Sequence, residues 1–297
     1  MVSLPRVVDD VDRRLLLHLL ADPLAPFARI GEHLGVSTAT AASRFRRLQR
    51  HGLVRVCGRT LPGFGGRHAY LVRAAAAPDR IARLAATVAE FDHSRWVRIS
   101  TDGSELMCGL VTDAPSIDPV LTRLPVEPAL RMFAVHELLH VWGGHGDLTT
   151  IAPITLDRFD EALLALLAVD GRAQLRALAE HLGVNASTVS RRRQRLVDAG
   201  VLYFEADVDP QALGGTGDAM LWMRVPPGAI RAAGAALRSD VRVRFAAATS
   251  GAYDLVAHVH VLDHQAILGF VDETLAELQV SATDVVPMGR VLKRNAV

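Results

Sequence analysis

The stretch Glu32-His33-Leu34-Gly35-Val36 occurs a second time in the chain, as Glu180-His181-Leu182-Gly183-Val184. The two copies are 148 positions apart (184 − 36), about half of the 297 residues. The same offset continues without a gap on both sides and relates Asp12 to Asp160. Self-similarity at a fixed offset is the signature of a duplicated structural unit. The sequence therefore predicts one fold built twice, and any function must account for both copies.

Each copy predicts three short helices. In the second copy, an acidic start at Asp157 precedes leucines at helical spacing, and carboxylates suit the positive N-terminal end of a helix. Gly183 is expected to end the second helix, because glycine adopts left-handed dihedral angles without a Cβ penalty. Asn185 is expected to cap a third helix that runs from about Ala186 to Ala199, and Ser37 is the equivalent cap in the first copy.

The third helix of each copy presents short polar side chains and then arginines. Two short helices with a tight glycine turn between them are typical of a helix-turn-helix, whose second helix enters the major groove. Arginines on such a helix reach phosphates and guanine edges. An arginine-rich helix can also be only a solvated face, but capping, spacing and duplication together favour DNA binding. The candidate DNA-binding residues are Ser37, Thr38, Thr40, Ser43, Arg44, Arg46 and Arg47 in the first copy and Asn185, Ser187, Thr188, Ser190, Arg191, Arg192 and Arg195 in the second.

The remaining pattern predicts strands. Strand-like runs at 53–56 and 201–204 follow the third helices and are predicted as wings. After a glycine-rich hinge at 61–66, the order strand, helix, strand, strand, helix, strand is that of a ferredoxin-like sandwich. In the first copy these elements are predicted at 68–73, 78–90, 95–100, 106–111, 116–124 and 130–141, and in the second at 219–225, 229–237, 241–249, 255–261, 265–278 and 283–288.

The predicted fold class is α+β. Two winged helix-turn-helix domains, at 1–60 and 153–210, alternate with two ferredoxin-like sandwich (βαββαβ) domains, at 67–142 and 217–295. A second glycine-rich linker, at 143–147, separates the halves. Duplication within one polypeptide predicts a pseudodimer in which the two halves are free to diverge, and a further homo-oligomer of such chains is expected.

Composition limits the classes of function. The formal net charge is only +1, but basic residues cluster on the third helices, so the local potential can favour DNA. Cys57 and Cys108 follow no metal-ligand spacing, which predicts a reduced cytoplasmic protein without a metal or cofactor. There is no signal-peptide pattern and no apolar run of membrane-spanning length, so no membrane partner is expected.

The second copy resembles the Lrp/AsnC, or feast/famine, family of transcriptional regulators. Residues 157–196 match its D-x-x-D-x-x-L-L-x-x-L, L-A-x-x-L-G-V-[SN] and R-R-x-x-R-L patterns, residues 208–214 match V-D-P-x-x-L-G, and residues 251–255 match G-x-Y-D-L. The first copy departs from these patterns, because a glycine-rich hinge replaces the connector and the stretch 103–106 lacks the tyrosine. The resemblance implies two fused family members, each with a winged helix-turn-helix and a ligand-sensing RAM domain.

The resemblance also implies an effector site in the second copy. The family's signature loop lies near a site for amino acids, so Gly251, Tyr253 and Asp254 are the candidate residues for a small amino-acid-like effector. A glycine lets backbone approach a ligand, and an aspartate can hold an ammonium group. A simple turn between two strands would select Gly and Asp as well. The expected function is a DNA-binding regulator with double-stranded DNA and such an effector as partners.

A regulator of this kind is expected not to be an enzyme. Two enzyme alternatives nevertheless stay open. His136-Glu137-Leu138-Leu139-His140 matches the zinc motif HExxH. However, it falls on a predicted strand, where consecutive side chains point to opposite faces, and the residue at 146 is glycine instead of a third histidine. The other alternative comes from the resemblance, since Lrp-like proteins include siroheme decarboxylases, some of them fused pairs.

Overall fold

The computed structural model describes residues 8–60, 67–112, 130–142, 154–215 and 217–294. The chain divides into two compact units, each assembled from both sequence copies. The helical unit comprises residues 1–61 and 151–215, and the barrel unit comprises residues 62–150 and 216–297. The predicted hinge at 61–66, the predicted helix at 116–124 and the linker at 143–147 lie outside the described residues.

The described elements follow the predicted order, and the helix predicted at 116–124 in the first copy lies outside them. In the first copy they are α1 (Asp10–Ala21), α2 (Phe27–Leu34), α3 (Thr38–Arg50), β1 (Val54–Thr60), β2 (His68–Ala75), α4 (Pro78–Ala89), β3 (Ser94–Ser100), β4 (Glu105–Thr112) and β5 (Met132–Trp142). In the second they are α5 (Arg158–Val169), α6 (Leu175–Leu182), α7 (Ala186–Asp198), β6 (Leu202–Val208), β7 (Gly217–Arg224), α8 (Ile230–Ser239), β8 (Val243–Thr249), β9 (Leu255–Val261), α9 (His264–Phe270) with a π-helical continuation (Val271–Leu275), and β10 (Ala282–Lys293).

The helix boundaries in the helical unit have the predicted causes. Gly35 and Gly183 end α2 and α6 with φ of 69° and 67°, in the left-handed region. The Ser37 and Asn185 side chains accept hydrogen bonds from Thr40 and Thr188 backbone N–H groups and so cap α3 and α7. Leucines on one face of α1, Leu15, Leu16 and Leu19, are fully buried. Burial of each contributes roughly 1.5–3 kcal/mol, which fixes the packing of this short helix.

The strands predicted as separate wings form one two-stranded sheet instead. β1 pairs antiparallel with β6, with Val54 opposite Val208 and Thr60 opposite Leu202. Among the described strands, β1 and β6 pair only with each other. Each strand therefore satisfies its backbone groups with the equivalent strand of the other copy.

The two predicted sandwiches are likewise joined, into one closed barrel with the strand order β10-β3-β4-β2-β5-β8-β9-β7. Closure depends on β5 and β10, which have 11 and 12 residues. β5 pairs first with β2 and then with β8 of the other copy. β10 pairs first with β7 and then with β3. Strands this long extend beyond their own sheet, and pairing their ends with the other copy leaves no open sheet edge.

Alternate residues of each strand face opposite sides of the barrel wall. One face packs against helices, α4 in the first copy and α8 with α9 in the second, and forms two apolar cores. The opposite face forms the barrel interior, where a third apolar cluster contains Leu71, Met107, Met220, Trp222, Ala247, Val256, Val286 and Met288. Polar side chains at these interior positions are therefore enclosed by the wall of the barrel.

Each of the two long strands, β5 and β10, also places one bulky side chain against the apolar core of the other copy. Trp142 of β5 lies in the core of the second copy, and Leu292 of β10 packs against that of the first. A Cβ at Gly234 in α8 would overlap the Trp142 ring, so the absence of a side chain there makes room for the indole. The equivalent residue of α4, 149 positions earlier (234 − 85), is Ala85, which is buried in the first core.

Candidate functional site

The arginines predicted to contact DNA in the first copy are tied to a buried aspartate. Asp12 of α1 is fully buried, and Arg44 donates to it from Nη1 to Oδ1 over 2.9 Å. Arg44 also lies 2.7 Å from Asp9, and Arg47 forms a close ion pair with Asp12. A buried carboxylate is costly unless it is paired and hydrogen-bonded. These two arginines therefore hold α3 against the start of α1.

The second copy repeats the arrangement. Asp160 of α5 is fully buried and accepts from Arg192 over 3.2 Å and from Arg195 over 2.6 Å. Arg192 also lies 2.8 Å from Asp157. Placement of both arginines opposite the acidic helix start follows from the sequence spacing, which is the same in the two copies. The pattern alone could not distinguish an arginine held by a carboxylate from one aimed at a phosphate.

Other candidate DNA-binding residues remain accessible. Arg46 and Arg191 are exposed on α3 and α7. Thr188 and Ser190 are half-buried, whereas the other short polar candidates of both copies are exposed, namely Ser37, Thr38, Thr40, Ser43, Asn185 and Ser187. Ser43 and Arg46 line a shallow surface depression with Gln49 and Arg50. The accessible cationic groups on these helices are thus fewer than the sequence pattern suggests.

The three candidate effector residues lie together at the turn between β8 and β9. Gly251 has φ of 94°, and a Cβ there would lie 3.0 Å from His136 Nδ1. The Tyr253 hydroxyl donates to Asp284 Oδ2 over 3.3 Å. Asp254 Oδ2 accepts from the Val225 backbone N–H over 2.9 Å. The Asp254 carboxylate thus already has one structural role, in joining this turn to the end of β7.

Sequence reasoning missed a polar group near this turn, inside the barrel. Arg73 of β2 is 5% exposed. It donates from Nε to Glu105 over 2.7 Å and from Nη1 to Asp284 over 2.7 Å. Its guanidinium carbon also lies 5.7 Å from the centre of the Trp222 ring. Arg73 connects strands of both copies, and the only sequence signal for it is an arginine among apolar residues of a predicted strand.

A second polar group in the barrel unit was also missed. We call Arg98, Asp218, Arg244, His258 and His260 the barrel-end cluster. Asp218 is 5% exposed and forms close contacts with Arg98 and His258. Arg98 Nη1 lies 2.9 Å from His258 Nε2. Because that nitrogen faces both an arginine donor and a carboxylate acceptor, it can accept from Arg98 or donate to Asp218 but cannot do both with one proton state.

The other two members of the barrel-end cluster, Arg244 and His260, have fewer polar contacts. His260 is the register partner of Asp218 on the neighbouring strand, and its Nδ1 is buried without a hydrogen-bond partner among the residues that the structure describes. Half-buried Arg244 lies close enough to Asp218 to be influenced by its charge. Within the described part of the chain, Arg244 forms no ion pair.

The pKa values in the barrel-end cluster shift as its charges require. Burial by itself would raise the pKa of Asp218, but His258 and Arg98 outweigh burial and hold that pKa well below its usual range. Burial lowers the pKa of His260, although Asp218 opposes the shift. Burial likewise lowers the pKa of Arg244. The cluster therefore keeps Asp218 ionised and His260 neutral near pH 7.

The HExxH stretch lies on β5, as the strand prediction required. His136 is buried and its Nδ1 lies 2.8 Å from the Ser250 carbonyl oxygen. Glu137 points the other way and accepts from His68 over 2.9 Å. In the part of the chain that the structure describes, no three His, Cys, Asp or Glu side chains lie together as metal ligands. The described helices also include none that is long and apolar enough to cross a membrane.

Comparison with known proteins gives two kinds of relative. The AsnC-type helix-turn-helix domain model matches residues 8–49 and again residues 156–197. The HTH-type transcriptional regulator AldR of Mycobacterium tuberculosis is 35% identical over 138 residues, which are 45% of this chain and 77% of AldR. The siroheme decarboxylase NirDL subunit of Paracoccus pantotrophus is 29% identical over 253 residues, 77% of each chain.

A crystal structure of the siroheme decarboxylase NirDL is similar in fold, with a TM-score of 0.65 over 96% of this chain and 93% of that one, at 15% identity. Since NirDL spans both copies and is an enzyme, it corrects the expectation that this chain is not one. The matches to the helix-turn-helix model and to AldR establish the wider group. The chain belongs to the Lrp/AsnC family of helix-turn-helix transcriptional regulators, in which it is a fused duplication.

Proposed function

We propose that the chain is an Lrp-like enzyme of the siroheme decarboxylase type, which removes carboxyl groups from an iron tetrapyrrole. The observation that carries the proposal is the likeness to the NirDL subunit, because it extends over 77% of the chain and therefore through both copies. The likeness to AldR covers 45%. A structure with the same fold, NirDL, binds an iron-uroporphyrin III analogue.

Decarboxylation of a tetrapyrrole requires two kinds of protein side chain. Decarboxylation breaks the bond between a carbon and its carboxylate, releases CO₂ and leaves an electron pair that must take up a proton. Cationic donors are needed to hold the carboxylates, and a proton donor must lie nearby. The barrel unit contains Arg73 and Arg98 among its interior positions, together with His136 and His258. These residue types support the proposal.

The helical unit supports it in a different way. Four of the arginines expected to contact DNA are held by Asp12 and Asp160. Their position is explained by the packing of the helices, so they supply no independent reason to assign a DNA-binding role. An enzyme of this family can keep its helix-turn-helix pairs as a scaffold.

Absorbance titration of the full chain with siroheme and with iron uroporphyrin III tests the proposal. We expect a saturable change in the tetrapyrrole spectrum, followed by loss of CO₂ that mass spectrometry detects in the product. Arg98→Met should weaken binding, whereas Arg83→Met, which changes an exposed arginine of α4, should not. An unchanged spectrum at stoichiometric protein, together with intact carboxyl groups, would refute the assignment.

DNA binding is the second candidate, and the match of both copies to the AsnC-type helix-turn-helix model favours it. The accessible Arg46 and Arg191 are the residues that would reach the phosphates. We expect Arg46→Ala and Arg191→Ala to weaken binding to genomic DNA fragments and to reduce its salt dependence. Fluorescence anisotropy at several salt concentrations measures both. Equal affinity and equal salt slope for the variants would exclude contact through these helices.

An amino-acid-like effector remains a proposal for Gly251, Tyr253 and Asp254, and a homo-oligomer of fused chains remains a proposal beside it. Because Asp254 accepts from Val225 N–H with one oxygen, its other oxygen would hold the effector's ammonium group. Calorimetric titration with a panel of amino acids, repeated on Asp254→Asn, tests this role. Equal affinity for the variant would contradict it.

A further inference from the structure

Two histidines meet where the first two helices of the first copy pack together. The rings of His18 in α1 and His33 in α2 have their centres 4.9 Å apart and are inclined by 36°. His18 is half-buried, whereas His33 is exposed. Neutral imidazole rings pack at this separation as other aromatic rings do. The pair is therefore part of the contact that holds α1 and α2 together.

The hydrogen bonds around His33 show which of its nitrogens takes up a proton. Nδ1 lies 2.9 Å from the backbone carbonyl oxygen of Arg29. Because a carbonyl oxygen only accepts, the hydrogen is on Nδ1, and Nε2 is the nitrogen that is protonated on acidification. Arg14 of α1 donates from Nη2 to the His33 carbonyl oxygen over 2.9 Å. Glu32 of α2 is exposed and forms no ion pair with these cations in the described part of the chain.

The surroundings of His18 disfavour its charged form. Burial lowers the pKa of His18. The positive charges of His33, Arg14 and Arg29 lower this pKa further. Asp22, one turn after His18 in the sequence, forms an ion pair with Arg29. Protonation of both rings therefore places two like charges side by side in a group that already contains two arginines.

Charged groups on the other elements that pack against α1 are engaged elsewhere. Those elements are α3, β6 and the short 3-10 helix Pro210–Leu213, which has no charged residue. Arg44 and Arg47 of α3 bind Asp12, in the first turn of α1. The carboxylates of β6, and the cation of the second copy that reaches the loop between α1 and α2, have partners of their own: Asp207 with Arg55, Glu205 with Arg59, and Arg172 with the carbonyl oxygens of Pro23 and Ala25. The charges that act on His18 thus come from α1 and α2.

The second copy lacks three of these four basic side chains. At the positions 148 residues later, three are replaced and one is kept: Arg14 by Ala162, His18 by Leu166, Arg29 by Ala177, and His33 by His181. The helices α5 and α6 thus pack with a half-buried leucine at the place of His18. A histidine pair is not required to form this helix contact.

From these observations we infer that His18 and His33 form a pH-sensitive contact, which holds α1 against α2 at neutral pH and weakens on acidification, in the first copy only. The packing of two neutral rings becomes a repulsion between two imidazolium ions beside Arg14. Because folding lowers the pKa of His18, its contribution to stability is present above the unfolded value and is lost as the pH falls. Since α2 leads into α3, the first helix-turn-helix loosens while the second keeps its structure.

Hydrogen exchange of the full chain, followed by mass spectrometry of its peptides, tests this contact. Exchange is compared at about pH 7.5 and about pH 5.5, after correction for the intrinsic effect of pH on exchange. We expect peptides of α1 and α2 to exchange roughly threefold to tenfold faster at the lower pH, because one proton changes the population of an opened state at most about tenfold per pH unit. Peptides of α5 and α6 should not change. An equal response of both copies, or no response in α1 and α2, would overturn the inference.

Substitution identifies the residues responsible. His18→Leu introduces the residue of the equivalent position 166 and should remove the acid response of α1 and α2. His51→Gln is the matched control at an exposed histidine after α3 and should leave the response unchanged. A response that persists in His18→Leu, or that disappears in His51→Gln, would contradict the role of the pair. If His18→Leu does not fold at neutral pH, His33→Gln takes its place: a reduced response supports the inference, and an unchanged response overturns it.

Discussion

The two copies have kept the same buried aspartate with its two arginines in the helical unit, whereas a buried ion pair of the barrel unit occurs only once. In the helical unit, Asp12 with Arg44 and Arg47 is matched position by position by Asp160 with Arg192 and Arg195. In the barrel unit, the Arg98 and Asp218 pair has two alanines as its counterpart. Charges that both copies need to fold are repeated. The Arg98 and Asp218 pair is therefore not needed to form the equivalent strands of both copies, which makes it a candidate for a role that only one copy has.

The largest expected effect concerns the repeated charges. Replacing both Arg44 and Arg47 with Met leaves Asp12 buried without its cationic partners and should cost roughly 3–5 kcal/mol of unfolding free energy. The equivalent change of Arg192 and Arg195 should cost a similar amount, because Asp160 is buried to the same extent as Asp12. Urea unfolding of the two double variants measures both values.

Arg46→Met is the control for that experiment, since Arg46 is exposed on the same helix. Its cost should stay within about 0.5 kcal/mol. A loss below about 1 kcal/mol in either double variant would mean that these arginines do not support the fold, and it would return them to the DNA-binding candidates.

The unmatched charges should behave differently. Arg98→Ala leaves Asp218 buried with fewer partners and should cost about 3 kcal/mol. Arg98→Ala combined with Asp218→Ala should cost clearly less, because removing both members leaves no unpaired buried charge. The double variant also gives these positions the residues that their equivalents have, Ala247 and Ala69. A double-mutant cycle by chemical denaturation measures the difference, and additive costs would contradict the comparison.

A third prediction concerns apolar packing at Gly234 of α8, whose equivalent in α4 is Ala85. Gly234→Ala places a Cβ into the Trp142 ring and should destabilise the barrel unit by about 1–3 kcal/mol. Ala85→Gly, at the equivalent place in α4, removes a buried methyl group and loosens the helix, at a cost of about 1 kcal/mol. Thermal unfolding of both variants tests this asymmetry. Stabilisation by Gly234→Ala would show that the Trp142 indole can adopt another position.

The smallest expected effect is on pH dependence. Because burial lowers the pKa of His260, the unfolded chain takes up a proton near pH 6.5 that the folded chain does not. Stability is therefore fully present above that pH and falls as the pH drops toward the folded pKa, by at most about 1.4 kcal/mol per unit for one proton. Asp218, Arg244, His258 and Arg98 are the charged or titratable groups that act on His260.

His260→Val, which introduces the residue of the equivalent position 111, should flatten this slope between pH 6.5 and 5.5. Denaturant unfolding at several pH values measures it, with His51→Gln as a control at an exposed histidine. A slope that does not change in His260→Val would show that His260 is already protonated in the folded chain.

Much of the local structure could be predicted from the sequence, because short-range signals determine it. Ser37, Asn185 and Gly183 fixed helix ends, and period-two runs placed the strands to within a few residues. The prediction for β10 ended at 288, whereas the strand continues to Lys293. Its last residues pair with β3 of the other copy. No local sequence pattern indicates this pairing.

The candidate sites were harder to predict, for a related reason. The arginines of α3 and α7 have the sequence pattern of DNA-binding helices, but their partners Asp12 and Asp160 precede them by more than thirty residues. The barrel-end cluster draws Arg98 from the first copy and the other members from the second. Sequence spacing carries no information about such encounters, which depend on how the strands are ordered.

The sequence by itself determined that one unit is present twice, that each copy has a helix-turn-helix followed by alternating strands and helices, and which family the chain resembles. These follow from periodicity, capping and repetition, which act over a few residues. Only the tertiary structure decided that β1 pairs with β6, that two sheets close into one barrel, and that unmatched charges meet inside it. Those outcomes depend on unpaired strand edges and buried charges finding partners far away in the chain, because leaving backbone groups or ions unsatisfied costs more free energy than any local preference supplies.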